Sequence, residues 1–473
     1  MPHEPSPADK APSLPDRLGW PAEVASSLPR RLGLWSAVAV LVGSTIGSGI
    51  FRVPAEVAQR IGIAEVFLLA WVVGGLFALF GALTLAELAA AFPRTGGIYV
   101  FIREGFGPLP AFLFGWAELV IIRPGAYGAI AITFAEYLSD LVPVLDTAIV
   151  LGPLRTSGVQ LTAALGILAV AAFNYLGIHR AAIVQNATTV FKVAAVAALA
   201  LLGLAFGVRA IPETAGAVEA VPAVQLGAFG VALIAILWAY DGWADLSFVA
   251  GEVREPGRNL PRALLFGTAL VIVLYLLANV TYLYLIPIAE IAVSPLVAAD
   301  AAERVFGGLG RGLLAGVVAV STFGTLNGSM MTAPRIFFAM AEDGLFFRKI
   351  AAVHPRHRSP SAAVVLAAAL GIAFVLVRTF AELAEQFIVG IWPFYALAVA
   401  AIFIVRRRRP DLPRPYRTWG YPVVPLLFLI ASLCVLANVL VENPVPTSAN
   451  FAVILAGVPV YYAWRFWTRR RGR

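Results

Sequence analysis

The chain has 473 residues, of which 60% are hydrophobic and only 13% are charged. A soluble domain carries about 25% charged residues, so this composition excludes an ordinary water-soluble globule. The formal net charge is +8, but the basic residues form short clusters between long apolar runs. That distribution argues against a nucleic-acid-binding surface and predicts an integral membrane protein.

A polar, proline-rich stretch opens the sequence, residues 1–29, and it contains no apolar run. We expect it to be a disordered cytoplasmic tail rather than a signal peptide. Twelve apolar stretches follow, each close to the roughly 20 residues that cross a bilayer as a helix. Their predicted bounds are 34–60, 65–91, 109–138, 157–176, 181–207, 226–252, 262–286, 309–341, 361–378, 383–405, 421–441 and 448–467.

The first predicted span is interrupted by the run GSTIGSGIF at residues 43–51. Glycine weakens a helix by roughly 1 kcal/mol relative to alanine, and backbone groups that are freed in lipid need other partners. Gly43 and Gly47 also fit a seam where two helices pack closely. The cluster from Gly47 to Gly49 places small residues on several helix faces at once, which favours an unwound segment over a packing seam.

Spans three and five carry charged residues within apolar sequence. Arg123 follows Glu118 by five residues, which favours an intramembrane ion pair over a contact with substrate. Lys192 lies in the middle of span five. A buried ammonium group needs a partner or must lose its proton. The alternative is a side chain that extends to the membrane surface, but the apolar sequence on either side makes that distance too long.

The sixth predicted span contains the run WAYDGWAD at residues 238–245. A carboxylate inside a membrane helix is costly and tends to mark a pathway or a binding site. The alternative is a helix end at the membrane surface, anchored by tryptophans, but apolar residues continue on both sides. We therefore predict a second interrupted helix, with Asp241 and Asp245 near the middle of the membrane.

The two interruptions occupy equivalent positions if spans one to five and spans six to ten form an inverted repeat. Paired interrupted helices are typical of the midplane binding site of a transporter. Free N–H groups at such a break attract a carboxylate, and free carbonyl groups at the opposite break suit an ammonium group. A zwitterionic amino acid carries both charges, so the pattern predicts a carrier of amino acids.

Basic residues predict the orientation of the chain. If both termini lie in the cytoplasm, the inside segments hold most of the arginines, including the runs 406–409 and 469–471. The outside segments hold acidic residues such as Glu290, Asp300 and Glu303. Lysine and arginine concentrate in cytoplasmic loops. We therefore expect cytoplasmic N- and C-termini and a location in the cell (inner) membrane.

Three motifs occur in the order of a known family. GSTIGSGIF at 43–51 resembles the helix-1 signature of the amino acid–polyamine–organocation superfamily. FPRTGGIYVFIREGFG at 92–107 resembles its helix 2–3 loop, and YDGWADLSFVAGEVREPGRNLPRAL at 240–264 resembles helix 6 and the following loop of its L-type amino acid transporter branch. The resemblance covers residues 34–410. It implies an all-α membrane protein with 12 transmembrane helices and the LeuT-like 5+5 inverted repeat, in which helices 1 and 6 are unwound.

The same resemblance implies a division of the chain. The first inverted repeat, helices 1–5, would occupy residues 30–207. The second, helices 6–10, would occupy residues 208–410. Helices 11 and 12 and a basic cytoplasmic C-terminus would occupy residues 411–473.

The resemblance also implies roles for individual residues. The residues that match the helix-1 contacts to the substrate carboxylate are Thr45, Ser48 and Gly49. Those that match the helix-6 contacts to the α-amino group and the side chain are Trp238, Ala239 and Asp241. Asp241 stands where many L-type members have a small residue, so the size and charge of the side-chain pocket stay open.

Lys192 matches a position where several relatives place a lysine instead of a sodium ion. By resemblance it bridges helices 1, 5 and 8, with Ser329 on helix 8 as a possible partner. This assignment implies transport that is independent of sodium. Whether the lysine also cycles a proton stays open.

The expected function is a sodium-independent secondary transporter of neutral L-amino acids, by exchange or facilitated alternating access. The alternative is a carrier of cationic amino acids or polyamines, with or without proton coupling, in which Asp241 and Asp245 contact a positive side chain. A channel would need a filter and an enzyme would need a nucleophile–base or metal constellation. The sequence suggests neither, and we expect no cofactor and no metal.

The sequence also bears on whether a disulfide joins the chain to a partner protein. Heteromeric members of the family use a cysteine between helices 3 and 4 to join a glycoprotein. Residues 139–156 contain no cysteine, and the one cysteine of the chain is Cys434. We therefore expect no disulfide-linked heavy chain.

Overall fold

The computed structural model describes residues 28–151, 154–210, 226–294, 296–376 and 380–471. Most of the predicted tail, residues 1–27, lies outside this description. Helices occupy all twelve predicted regions. In chain order they are Leu34–Thr45 with Gly49–Ile61, Ala64–Ala91, Pro108–Ala117 with Arg123–Leu141, Gly158–Tyr175, Ile178–Phe206, Leu226–Tyr240 with Asp245–Glu252, Pro256–Leu285, Gly308–Thr332 with Pro334–Glu342, Ser361–Val375, Phe380–Arg408, Val423–Glu442, and Pro444–Leu455 with Gly457–Arg471.

Eleven of the helical segments among the described residues are long and apolar enough to cross a membrane. The predicted ninth span is a shorter apolar helix, Ser361–Val375. Large apolar side chains such as Leu165, Leu313 and Leu433 are exposed on the outside of the helices, which suits contact with lipid rather than water. The prediction of an all-α, multi-pass membrane protein is confirmed, while the count of twelve crossings stays a prediction.

Span three contains a π-helical turn, Glu118–Ile122, between its two α-helical parts. The turn ends beside Pro124, which has no N–H group to donate to a carbonyl one turn earlier. Such turns often occur at functional sites in membrane and soluble helices. This one places Glu118 and Arg123 at the centre of the bundle, where both side chains are buried.

Several short elements lie between the spans. A two-stranded antiparallel hairpin joins Ala148–Leu151 to Leu154–Ser157, with Ala148 opposite Ser157. Strands of four residues are too short to show a period of two in the sequence, so this hairpin was not predicted. Helix Ile98–Phe106 lies within the 92–107 motif. Two further helices, Ile288–Val293 and Val297–Phe306, precede span eight.

The segment before span one is joined to the end of span six. The N–H groups of Arg31 and Leu32 donate to the carbonyl of Glu252 at 2.8 and 2.9 Å, and the N–H of Arg254 donates back to Leu32 at 2.8 Å. The Glu252 carboxylate pairs with Arg335, and both side chains are fully buried. These contacts hold the two interrupted spans together at one end of the bundle.

Candidate substrate-binding site

Span one is broken between Thr45 and Gly49. Ile46 leaves the helical region, with φ −74° and ψ 89°. The N–H groups of Gly47, Ser48 and Gly49 donate to no backbone carbonyl within the described part of the chain. They lie at the start of helix Gly49–Ile61, which is the positive end of its dipole. The predicted unwound segment is present, and its donors suit an anion.

The glycines of this segment face neighbouring helices at close range. A Cβ atom on Gly47 would lie 3.0 Å from the side chain of Thr325, and one on Gly49 would overlap the backbone of Ala239. Gly43 faces Gln185 in the same way. The packing seam that the sequence offered as an alternative therefore exists together with the break.

Span six is broken over residues 241–244, which form turns. Gly242 has φ +113°, a conformation that side chains disfavour, and a Cβ atom there would lie 2.8 Å from the backbone nitrogen of Thr45. After the break the chain continues as a 3₁₀-helix, Asp245–Glu252, rather than as an α-helix. The two breaks are in direct contact.

A cavity lies between the breaks and measures about 40 Å³, which holds a few water molecules at most. Spans three, eight and ten complete its wall. The lining residues are Ser44, Thr45, Gly47, Ser48, Gly49, Arg123, Ala126, Ile130, Trp238, Asp241, Gly242, Asp245, Thr325, Ser329 and Phe387. Of the residues predicted to bind substrate, all but Ala239 line this cavity. Ala239 is buried behind it, against Gly49.

The neighbouring hydroxyl groups of Ser44 and Thr45 in span one differ in their hydrogen-bond partners. The hydroxyl of Thr45 donates to the carbonyl of Leu41 at 2.9 Å, within its own helix. The hydroxyl of Ser44 is buried and has no hydrogen-bond partner among the residues that the structure describes. A buried polar atom without a partner is costly, and Ser44 is one of the residues that line the cavity.

Span six contributes an acid and an aromatic ring. The hydroxyl of Tyr395 donates to Asp241 Oδ1 at 2.6 Å, which orients that carboxylate at the cavity wall. Trp238 contacts Phe387 edge to face, with ring centroids 5.1 Å apart and an angle of 86°. Both aromatic residues line the cavity.

Arg123 forms the predicted ion pair with Glu118, with Nε to Oε2 at 2.7 Å. Its guanidinium also reaches Asp245 Oδ1 at 3.3 Å and Ser329 Oγ at 3.4 Å. Thr332 donates to the other oxygen of Asp245 at 3.0 Å. The ion-pair prediction is confirmed, but Arg123 also lines the cavity, which was not predicted from the sequence. The signal in the sequence is that Glu118, Arg123 and Asp245 are all charged residues within apolar runs.

Lys192 is fully buried and bonds to two other spans. Its Nζ lies 2.9 Å from the carbonyl oxygen of Gly43, 2.6 Å from that of Ile46, 2.7 Å from that of Ser321 and 2.9 Å from the hydroxyl of Thr325. It thus bridges spans one, five and eight.

The hydrogen-bond partners of Lys192 on span eight differ from the predicted one, Ser329. The lysine contacts Ser321 and Thr325, while Ser329 bonds to Arg123 instead. Residues four apart lie on one helix face, so all three share a face of span eight. The sequence could not decide which turn of that face lies level with the lysine.

Known proteins are similar to this chain over most of its length. The profile of the family described as amino acid permease matches residues 32–463. The serine/threonine exchanger SteT of Bacillus subtilis is 33% identical over 435 residues, which is 91% of this chain and 95% of that protein. The human cystine/glutamate transporter is 30% identical over 437 residues, 92% of this chain and 85% of that protein. The human large neutral amino acids transporter small subunit 2 is 32% identical over 441 residues, 92% of this chain and 81% of that protein.

Proposed function

The chain belongs to the amino acid permease family, and from this premise we propose that it is a sodium-independent carrier of small neutral L-amino acids. It is an amino acid transporter and not an enzyme. The proposed mode is exchange or facilitated alternating access. The named relatives include a serine/threonine exchanger and a large neutral amino acids transporter small subunit, and these names support the proposal.

The observation that carries the proposal is the cavity between the two helix breaks. On one side lie the N–H groups of Gly47, Ser48 and Gly49 and the hydroxyl of Ser44. On the opposite side lie Trp238 and Asp241 of span six. We assign the α-carboxylate of the substrate to the first group and its amino group and side chain to the second. A ligand with only one charge would leave one of the two groups unmatched.

The size of the cavity favours a small side chain. Its volume of about 40 Å³ leaves room for a few water molecules. Trp238 and Phe387 both line the cavity, with ring centroids 5.1 Å apart. Glycine, alanine, serine and threonine therefore fit with the smallest displacement of these rings.

The position of Lys192 supports independence from sodium. Its ammonium group lies among carbonyl and hydroxyl oxygens of spans one and eight at 2.6–2.9 Å. Oxygen atoms are also the ligands of hard cations. The lysine thus supplies, within the chain, the positive charge that a bound sodium ion would supply from outside.

The remaining proposals concern the membrane that holds the carrier, its inverted repeat and a partner protein. We place the carrier in the cell (inner) membrane with both termini in the cytoplasm, following the distribution of basic residues. The two helix breaks support the division into inverted repeats at residues 30–207 and 208–410, followed by 411–473. Because residues 139–156 contain no cysteine, we propose that the carrier works without a disulfide-linked heavy chain.

One observation favours a second candidate, a carrier of cationic amino acids or polyamines. Asp241 and Asp245 both line the cavity, and Glu118 lies behind Arg123. Glu118 and Asp245 share the one Arg123 guanidinium group, and Asp241 bonds to a neutral tyrosine rather than to a cation. A substrate with a positive side chain would balance this charge.

The two candidates are separated by competition in proteoliposomes. Uptake of labelled alanine is measured against serine, leucine, arginine and putrescine, with sodium or choline as the cation and at two pH values. We expect serine to compete, arginine and putrescine to fail, sodium to have no effect, and internal serine to accelerate uptake. Competition by arginine or putrescine alone would support the cationic candidate. Dependence on sodium would contradict the role given to Lys192.

A further inference from the structure

Span twelve is longer than the apolar part of a bilayer. It runs from Pro444 to Arg470 over 27 residues, which is about 40 Å of helix, whereas the hydrocarbon core of a membrane is about 30 Å thick. Its last two turns carry Trp464, Phe466 and Trp467, and Phe466 is 59% exposed. Aromatic rings are typical of the boundary between lipid tails and headgroups. The end of span twelve therefore reaches the headgroup layer.

The end of span twelve is joined to the loop that follows span eight. The indole Nε1 of Trp464 donates to the carbonyl of Gly344 at 2.9 Å. Its ring contacts Phe347 edge to face, with centroids 4.9 Å apart. The 3₁₀-helix Arg348–Ala351 begins at the next residue. These contacts bring the start of that 3₁₀-helix to the end of span twelve.

Exposed arginines from both segments lie in this region. They are Arg348, Arg469 and Arg470, and we call these three residues the basic junction. Within the described part of the chain, none of the three forms an ion pair. Neither residues 344–360 nor residues 444–473 include an aspartate or a glutamate. The positive charge of the basic junction is therefore not neutralised by its own segments.

The carboxylates that precede the loop do not cancel this charge either. Asp343 pairs with Arg103 and also accepts the hydroxyl of Tyr99 at 2.7 Å. Glu342 is exposed, and it is a single carboxylate against three arginines. The basic junction thus keeps a net positive charge at the level of the lipid headgroups.

We propose that the basic junction binds the phosphate group of an anionic phospholipid in the cytoplasmic leaflet. Each arginine or lysine beside a span strengthens the attraction to anionic headgroups about fivefold. The guanidinium of Arg470 lies 4.3 Å from the centre of the Phe466 ring, so charge and apolar surface are adjacent, as a phosphate with acyl chains requires. A soluble anion would leave the exposed ring in water. The inference rests on the proposed orientation of the termini and is independent of the proposed substrate.

The test is lipid binding by the full-length protein in detergent. Dioctanoyl phosphatidylglycerol, which is anionic, and dioctanoyl phosphatidylcholine, which is zwitterionic, are titrated separately, and bound lipid is counted by native mass spectrometry. We expect one tightly bound phosphatidylglycerol per chain, and binding of phosphatidylcholine that is at least about tenfold weaker. The variant Arg469→Gln/Arg470→Gln should weaken phosphatidylglycerol binding about 25-fold, and Arg348→Gln should weaken it about fivefold.

The matched control is Arg209→Gln/Arg311→Gln, which removes two exposed arginines from the other end of the bundle. Arg311 lies in the first turn of helix Gly308–Thr332 of span eight, whereas the basic junction lies beyond the last turn of that span. The control should bind phosphatidylglycerol as the wild type does. Because every substituted arginine is exposed, all variants should keep the wild-type melting temperature, which excludes misfolding as the cause of weaker binding.

The outcomes separate this inference from its rivals and from the proposed function. Equal binding of the two lipids, or equal weakening by the control, would mean that lipid surrounds the protein without a specific site, and the inference would be wrong. Binding of polyglutamate that Arg469→Gln/Arg470→Gln abolishes, without binding of phosphatidylglycerol, would assign the surface to an acidic protein and would also overturn it. If the wild-type protein takes up no neutral amino acid, the proposed function is wrong, but the lipid titration uses no substrate and still decides the inference.

Discussion

Lys192→Met tests the most connected side chain of the site. Methionine keeps much of the length and volume of lysine but removes the ammonium group that bonds the carbonyls of Gly43, Ile46 and Ser321. The Ser321 carbonyl lies within a continuous helix, Gly308–Thr332. The hydroxyl of Thr325 is 3.1 Å from the Gly43 oxygen and 2.9 Å from the Ile46 oxygen, so it can serve one of them. The hydroxyl of Ser321 lies 3.2 Å from the Ile46 oxygen as well, so both carbonyls keep a neutral donor but lose the charged one.

The magnitude follows from these contacts. Each lost hydrogen bond from a charged donor costs about 1.5–3 kcal/mol, and a neutral hydroxyl that takes its place recovers only about 0.5–1.5 kcal/mol. Removal of a buried charge offsets part of this cost. We expect a net penalty of about 3 kcal/mol on the closed form of the break, which corresponds to about a 100-fold fall in kcat/KM for uptake.

The assay is initial uptake in proteoliposomes, together with the melting temperature of the purified protein. Lys349→Met is the matched control, because Lys349 is exposed on a loop helix between spans eight and nine. The control should keep wild-type uptake and melting temperature. Wild-type kinetics in Lys192→Met would refute the reasoning, and so would equal losses in both variants.

Three other substitutions test separate contacts. Gly49→Ala places a methyl group against the backbone of span six and should abolish uptake. The control Gly312→Ala, whose methyl group meets no atom within 4 Å, should keep it. Uptake by both variants would contradict the close packing of the breaks. Arg335→Met leaves the Glu252 carboxylate buried without its partner and should cost about 3–5 kcal/mol of stability. This loss is measured as a lower melting temperature. The double variant that also carries Glu252→Gln should regain part of the melting temperature. Asp241→Asn removes the carboxylate that we assign beside the substrate ammonium and should lower alanine uptake at least about tenfold, the equivalent of one charged hydrogen bond. Uptake at the wild-type rate would contradict that assignment.

The positions of the helices and of both breaks could be predicted from the sequence. Helical hydrogen bonds join residues four apart in the chain. An apolar run therefore forms a helix at its own position in the sequence, and a glycine cluster or a proline interrupts the helix at its own position. Gly47, Ser48 and Gly49 open span one and Gly242 opens span six for this local reason. The ion pair of Glu118 and Arg123 could be anticipated as well, because an isolated charge inside a membrane helix demands a partner.

Contacts between helices were decided only by the tertiary structure. Ser321, Thr325 and Ser329 share one face of span eight, and only packing sets the first two level with Lys192 and the third level with Arg123. The hydroxyl of Tyr275 likewise reaches two carbonyls that lie 230 and 36 residues away in the chain. Periodicity specifies which face of a helix is turned inward, but the axial offset between neighbouring helices depends on how all their side chains pack together.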